Sequence, residues 1–507
     1  MLFAVGQQLR ITERGILDIT ILNLNMLYVR YFDAIERERH LPLGTLYVTA
    51  ALEEAGYTVQ HLDYQMHEAD DPFSSAEILK YVGEPAPIVG FSCMANLLPF
   101  TLMAMKDFKE AWPDRTLLLA GVGPKSVEHL ILERFPWVDI VVRGESERTA
   151  PLLLDAIKGD GDLSGVPGIS YRRGGKVVHN PRPERITDLD ALHAPAYHHI
   201  NLRNYSGFGM ITSRGCPYPC TFCSVAPIWD LKSYFRSPES IVAEIKRLHD
   251  EGGAELILFQ DEFFVSGRDR VLRFCDALAK SGLNIKWKAF GRVNLTDNDM
   301  MVAMEETGCV EIRFGIESGS DKILEITRKG FTTDQAVDVV SRACEIFRRV
   351  DAFYVWGYPF ETMEDFYQSV FQMVSFRMMG ARVLPSLLCL LPQTEIYKQY
   401  VNPSELEFAP DLLPEYMVTG HEVSRHAHME IRPEHASVFE FIRSHPDIFP
   451  GFFHLGLETR IRPRLRVLQE FGFYPASEEE LAQMESCGGH SPNIGDRRNE
   501  IATRAES

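Results

Sequence analysis

Positive charge is in short supply: 52 Lys and Arg residues stand against 71 Asp and Glu, for a formal net charge of −19. A protein that grips phosphate backbones carries a basic surface, so a large nucleic-acid substrate is disfavoured. No apolar run reaches the roughly 20 residues of a membrane-spanning helix. The opening residues, MLFAVGQQLRITERG, have neither the apolar core nor the small-residue cleavage site of a secretory signal, which makes the cytoplasm the expected location. A disulfide framework is missing too, because nine cysteines, an odd number, occur without an export signal. Six of them (Cys93, Cys275, Cys309, Cys344, Cys389 and Cys487) are scattered through apolar or helical stretches and read as buried free thiols. There is no internal repeat or low-complexity tract. What is present is an ordinary globular mix, 45% hydrophobic and 24% charged, over 507 residues, enough for two or three domains.

Strand-like and helix-like segments alternate from residue 18 to 158. DITILNLN, YTVQHLDY, PIVGFSC, TLLLAGVG and VDIVVRG read as strands, and LGTLYVTAALEEAG has helical spacing ending on Gly56. Five such units predict a doubly wound, Rossmann-like parallel sheet with ligands at the carboxyl ends of its strands. Residues 1–17 are an extension. Residues 159–205, rich in Gly, Pro, Arg and Asp, read as a short β-element plus a linker. The pattern then restarts, with strands expected at GMITSR, ELILFQD, IKWKAFGR, VEIRFGIE, DAFYVWGYP and VLPSLLCLLP. Six βα units over 206–400 predict a partial (β/α)6 barrel, open on one side, with its active face at the carboxyl ends. Residues 401–476 form a small, mainly α region with helices near Glu434–Arg443 and Arg460–Glu470, expected to close the open side of the barrel. His421, His426, His428 and His435 match no metal-binding spacing and read as ordinary histidines. The polar tail, 477–507, is expected to be disordered.

The chemistry concentrates in RGCPYPCTFCS, where Cys216, Cys220 and Cys223 follow the first barrel strand at Cys-x3-Cys-x2-Cys spacing. Three thiolates on one tight loop suit three irons of a [4Fe–4S] cubane and leave the fourth iron open. A structural zinc site wants a fourth Cys or His, and His198 and His199 precede the strand. Pro217, Pro219 and Thr221 make the segment a loop, a poor place for three merely packed thiols.

These residues resemble the radical S-adenosylmethionine (SAM) superfamily over about 205–400. The resemblance implies a cluster whose open iron chelates SAM, with Phe222 as the usual aromatic before the last cysteine. It also places Asp261 and Glu262 of QDEFF against the SAM amino group and Arg292 of FGRVN against its carboxylate. Glu317 and Ser318 of FGIESGS fall near the ribose and methionine, and Gly357 and Pro359 of GYPFET near the adenine. Phe360 stands where the family often has Gly. The bland alternatives are a solvated acidic loop, a surface ion pair for Arg292, and a simple turn at Gly357.

The preceding sheet resembles the cobalamin-binding domain of one large group in that superfamily, through LPLGTLYVTAALEEAGY, GFSCM, AGVGPKS and VDIVVRGESERT. Its candidate cofactor contacts are Ser92, Gly121, Gly123, Gly144 and Glu145, the glycines being read as openings for a broad corrin ring. The chain has Gly121-Val122-Gly123-Pro124 where relatives often have Gly-Gly-x-His, and it lacks Asp-x-His-x-x-Gly, the motif that gives cobalt a histidine elsewhere. The implied activity is methylation of an unactivated carbon, or less often phosphorus, of a small molecule. It would use a 5′-deoxyadenosyl radical, methylcobalamin, and a reducing partner such as flavodoxin or ferredoxin. Two alternatives stay open: a non-methylating cyclase, ring-rearranging or oxygen-inserting enzyme, and a non-catalytic cobalamin- or cluster-based sensor. Methylthiolation needs a second three-cysteine set in the amino-terminal domain, which Cys93 alone does not supply.

Overall fold

The computed structural model describes residues 17–24, 39–68, 71, 73–159, 161–414, 416–417 and 436–474. The four histidines from His421 to His435, Cys487 and the tail 477–507 lie outside these residues.

The first sheet contains β1 (Ile19–Asn23), β2 (Val59–Asp63), β3 (Ile88–Ser92), β4 (Thr116–Ala120), β5 (Ile140–Val142), β6 (Ile169–Arg173) and β7 (Lys176–His179). Their order is β2-β1-β3-β4-β5-β6-β7, with the first five parallel. Strands such as ITILN are buried throughout because helices cover both faces. Asn23, Ser92 and Ala120 end β1, β3 and β4 side by side in register. The strand order reverses between β1 and β3, the place where open α/β sheets leave a crevice for a ligand. The linker differs from expectation. Its β-element is the hairpin β6–β7, added antiparallel to β5, so the first part of 159–205 belongs to the sheet.

The second sheet is the expected six-stranded open barrel. Its strands are β8 (Phe208–Met210), β11 (Leu256–Phe259), β12 (Lys286–Gly291), β13 (Cys309–Glu317), β14 (Arg349–Trp356) and β15 (Arg382–Leu387), parallel throughout, in the order β15-β14-β13-β12-β11-β8. A short antiparallel ribbon, β9 (Ser213–Arg214) with β10 (Tyr234–Phe235), brackets the cysteine loop. Local signals explain the helices between strands. Ser237 caps 238–252 with Pro238 in its first turn, while Thr332 and Thr362 start 333–346 and 363–378 with capping boxes.

The third region has helices Ala436–Arg443 and Arg462–Glu470, plus a two-stranded ribbon of β16 (Leu406–Phe408) and β17 (Phe453–Leu455). It packs against both sheets. Leu413, Val438, Phe439, Ile442, Phe449 and Phe452 pack into the core of the first sheet, beside helix Leu98–Ala111. Arg134 pairs with Asp447 across that contact, Nη1 lying 2.9 Å from Oδ1. Ala409 and Leu412, and then Leu457, Ile461, Leu468 and Tyr474, join the barrel core instead. The third region therefore clamps both sheets.

Candidate functional site

The cysteine loop is built on β8. Met210 is fully buried at the strand end, and the next residues are gripped by Asp261 from the loop after β11. Its Oδ1 accepts from Thr212 N (2.6 Å) and Ser213 N (2.7 Å), and its Oδ2 from Thr212 Oγ1 (2.5 Å). Burial raises the pKa of this carboxyl, against Arg270 and the hydrogen bonds of Thr212 and Ser213. Asp261 is 1% exposed and its oxygens are engaged. It therefore holds the strand end in place, whereas the sequence had placed it against an amino group. Its neighbour Glu262 accepts from Gly215 N (3.3 Å) and Trp229 Nε1 (2.9 Å) at the base of the loop.

Gly215 opens the loop with φ +97°, and a Cβ there would lie 2.1 Å from the Lys232 carbonyl oxygen, so no other residue fits. Thr221 N donates to Thr327 O (3.2 Å) and Ile396 N donates to Thr221 O (3.0 Å). Arg328 and Glu395, paired through two bonds of 2.7 Å, brace the same junction. Val225 N donates to Cys223 Sγ at 3.4 Å. Cys216, Cys220 and Cys223 are free and partly exposed. Burial raises the Cys216 pKa and pushes that of Cys223 up to about 12, so both thiols are protonated until a metal takes the proton's place. Among the described residues, the His, Cys, Asp and Glu groups converging within 4.8 Å do not include these thiols.

Two cations face the thiols. Arg292, just past β12, lays its guanidinium 3.5 Å over the Tyr218 ring and donates through Nη2 to Lys329 O; its buried Nε has no hydrogen-bond partner among the described residues. Lys329 reaches Glu317 Oε1 at 3.1 Å and lies 5.9 Å from the Phe222 ring. Both lower the Cys216 pKa, against its burial. Glu317 ends β13 at φ +72°, beside a register shift at Gly315/Glu317. Left-handed backbone at a non-glycine residue is strain of the kind kept at functional sites.

The remaining barrel candidates divide. Gly357 and Pro359 line a small cavity with Leu388 and Leu455. Gly357 N donates to Glu361 Oε2 (3.2 Å), which also accepts from buried Arg464 (2.8 Å). Burial pushes the Glu361 carboxyl up to about 7 despite Arg464. Phe222 meets Tyr358 edge-on at 6.0 Å, and Phe360, the departure from the family string, stacks on Tyr358 at 5.5 Å. Ser318 is fully buried with its Oγ 3.0 Å from Ser369 Oγ, so it ties the strand end to helix Met363–Met378 and presents no hydroxyl to a ligand.

In the first sheet, Ser92 is half-buried at the end of β3. The two loop glycines answer to a different need from the one expected. A Cβ on Gly121 would stand 2.4 Å from Cys93 O, and one on Gly123 2.8 Å from Met94 O. They let the β3 and β4 loops touch, and it is Val122 between them that projects, 40% exposed. Gly144, at φ +84°, packs against Pro183. Glu145 is almost wholly buried and bonded to Arg185 Nε (3.0 Å), Ile186 N (2.8 Å) and Arg214 Nη1 (3.0 Å), which leaves its carboxylate committed to protein. Glu147 takes the other arm of Arg214 at 2.5 Å. Burial works against the Arg214 charge, yet the two glutamates hold its pKa above the ordinary value.

Lys329, Arg214, Glu361 and Arg464 were not found from the sequence. Each is a buried charge whose partner lies on another element of the fold, and a buried Lys or Arg looks like an exposed one until its partner is placed.

A model of the radical SAM superfamily matches residues 210–372, and one of the B12 binding domain matches residues 37–154. The chain is 31% identical over 330 residues to an uncharacterized methyltransferase of Pyrococcus horikoshii, covering 64% of this chain and 71% of that one. It is 28% identical over 324 residues to the anaerobic magnesium-protoporphyrin IX monomethyl ester cyclase of Synechocystis, covering 62% of this chain and 64% of the cyclase. Among solved structures it is similar to the cobalamin-dependent SAM radical enzyme OxsB, determined with aqua-cobalamin and SAM. The TM-score is 0.64 at 17% identity, over 95% of this chain and 77% of that one.

Proposed function

The chain belongs to the B12-binding radical SAM family, and from that premise we propose that it is a methyltransferase acting on an unactivated carbon, or less often phosphorus, of a small biosynthetic intermediate. The observation that carries this reading is the lock between Arg214 and the pair Glu145 and Glu147. Arg214 lies two residues before Cys216, and the glutamates follow β5. The carboxyl-end rim of the cobalamin-type sheet is therefore fastened to the root of the cysteine loop, as transfer between the two centres requires.

Cys216, Cys220 and Cys223 would hold the [4Fe–4S] cluster. Ser92, Val122 and the loops around Gly121, Gly123 and Gly144 would face cobalamin. Once bound, these groups supply an electron to split SAM into methionine and a 5′-deoxyadenosyl radical, and a carrier for the methyl group. The chain's own residues position and shield. Arg292 and Lys329 offer a cationic shelf for the SAM carboxylate beside the thiols, and Glu317 and Glu262 offer acids for its amino and ribose groups. Phe222, Gly357 and Pro359 form an apolar wall suited to the adenine. Asp261 and Ser318 act one step back, fixing the strand ends that carry these groups. A flavodoxin or ferredoxin would deliver the electron.

The test is anaerobic turnover with dithionite, SAM and cobalamin, counting products. S-adenosylhomocysteine and 5′-deoxyadenosine together support methylation. The similarity to the Synechocystis cyclase favours one second reading, a non-methylating cobalamin enzyme, which would give 5′-deoxyadenosine alone. Absence of both products would point to a sensor.

A further inference from the structure

We propose that Glu53, His198 and His199 form a second metal site, for one divalent ion of the zinc class, that ties the end of the interdomain linker to helix Leu43–Glu54 of the cobalamin-type sheet. Glu53 sits in the last turn of helix Leu43–Glu54, and the two histidines come from the short turn Tyr197–His199. His199 Nε2 is 2.8 Å from Glu53 Oε1, and His198 Nε2 is 2.9 Å from Glu53 Oε2. One ligand atom from each residue lies within 4.8 Å of the other two, and this is the group of its kind among the described residues.

Two imidazoles and a carboxylate are a zinc donor set, with bonds near 2.0–2.2 Å, which puts ligand atoms of a tetrahedral shell roughly 3.3 Å apart. The two histidine-to-carboxylate distances, 2.8 and 2.9 Å, fall a few tenths of an ångström short of that, and all three ligand atoms lie within 4.8 Å of one another. The side chain of His198 is 52% exposed, so the fourth position opens to water. The more buried His199 is backed by the His61 ring, 6.2 Å away, and His61 Nε2 is hydrogen-bonded to Thr45 Oγ1 of the same helix at 2.9 Å.

The location gives the site its consequence. Ala196 N donates to Leu46 O (3.2 Å) on helix Leu43–Glu54, and Tyr197 OH donates to Glu244 Oε1 (2.6 Å) on barrel helix Pro238–Gly252. The turn carrying both histidines thus touches both domains, and an ion on it would fix the joint. None of its ligands belongs to the cysteine loop or the strand ends described above.

The experiment uses the full chain with its iron–sulfur cluster reconstituted, dialysed against micromolar Zn²⁺, then analysed for zinc content and by zinc-edge X-ray absorption. One zinc per chain with only nitrogen and oxygen neighbours is expected. His198→Gln and Glu53→Gln should each weaken zinc binding at least about tenfold while iron content stays unchanged. Glu53→Gln is the sharper variant, since it keeps an acceptor for both histidines and removes only the anionic ligand. Zinc should also raise the melting temperature of the wild type and not of His198→Gln, a half-exposed substitution that leaves the core alone. Sulfur in the zinc shell, equal affinity in the variants, or no zinc retained by the wild type would overturn the proposal and leave a hydrogen-bonded carboxylate in its place.

Discussion

Arg214 and Glu145 form an ion pair 3.0 Å across whose side chains are 7% and 2% exposed, joining the root of the cysteine loop to the rim of the first sheet. A pair this deeply buried contributes little relative to an apolar substitute, but removing one partner strands the other charge. Arg214→Met should therefore cost about 3–5 kcal/mol. Glu145→Gln should cost less, because it keeps acceptors for Arg185 and Ile186. Denaturant unfolding followed separately by cobalamin absorbance and by the iron–sulfur chromophore checks this. One shared transition in the wild type should separate into two in Arg214→Met.

The cluster assignment makes the simplest demand. Replacing Cys216, Cys220 and Cys223 together by Ala should abolish iron binding after anaerobic reconstitution. Single replacement of Cys275 or Cys309, both buried in the barrel core, should leave iron content as it was. Four irons retained in the triple variant would remove the loop from the site.

Lys329 and Glu317 should matter to SAM and not to iron. Lys329→Met loses a cation near the thiols and leaves Glu317 without its partner. A charged hydrogen bond contributes about 1.5–3 kcal/mol, so SAM affinity should fall about ten- to a hundredfold. Isothermal titration of cluster-loaded protein measures it, and unchanged affinity would exclude Lys329.

Val122 and Gly123 separate cofactor contact from loop packing. Gly123→Val drives a branched side chain into the Met94 carbonyl, so it should destabilise the protein by at least about 1–3 kcal/mol whatever the cofactor does. Val122→Asp changes an exposed tip and should weaken cobalamin binding with the melting temperature of the cobalamin-free protein unchanged. Equal cobalamin affinity in Val122→Asp and wild type would take the β4 loop out of contact with the corrin.

Glu361 should titrate near neutrality. Its folded pKa, raised to about 7 by burial, lies above its ordinary value of 4.5. The stability it contributes is therefore fully present below about pH 4.5 and is lost as the pH rises through 7, at up to about 1.4 kcal/mol per pH unit. Infrared difference spectra should show a protonated carboxyl disappearing near pH 7, a signal absent in Glu361→Gln. The variant's stability should change less between pH 5 and 8 than that of the wild type.

Most of the architecture was legible because the strands of both sheets are short apolar runs bounded by turn residues, and alternation with helices leaves few topologies. Residues β6–β7 were legible as strand but not as part of the sheet, since pairing with β5 depends on a partner the local pattern does not name. The cysteine loop was legible because its three cysteines lie within eight residues. Asp261 and Ser318 were legible as strand-end residues, whereas their bonds to Thr212, Ser213 and Ser369 were not, because a strand-end side chain can turn to a ligand or to its neighbours in the fold. Gly121 and Gly123 show the same limit: glycine marks a close approach and does not say what approaches. The third region was hardest, since its partners lie hundreds of residues back, as Asp447 and Arg134 do.

That last contact sets an order of events. The sheet beneath helix Leu98–Ala111 and the whole barrel leave the ribosome before Phe439, Ile442 and Asp447 exist. At synthesis rates of about 5–20 residues per second, the clamp follows the end of the first sheet by on the order of 15 seconds or more. During that interval the apolar flank later covered by Phe439 and Phe452 faces the surrounding medium. The nascent chain therefore passes through a stage in which every strand of both large sheets has been made while the residues that clamp them together have not.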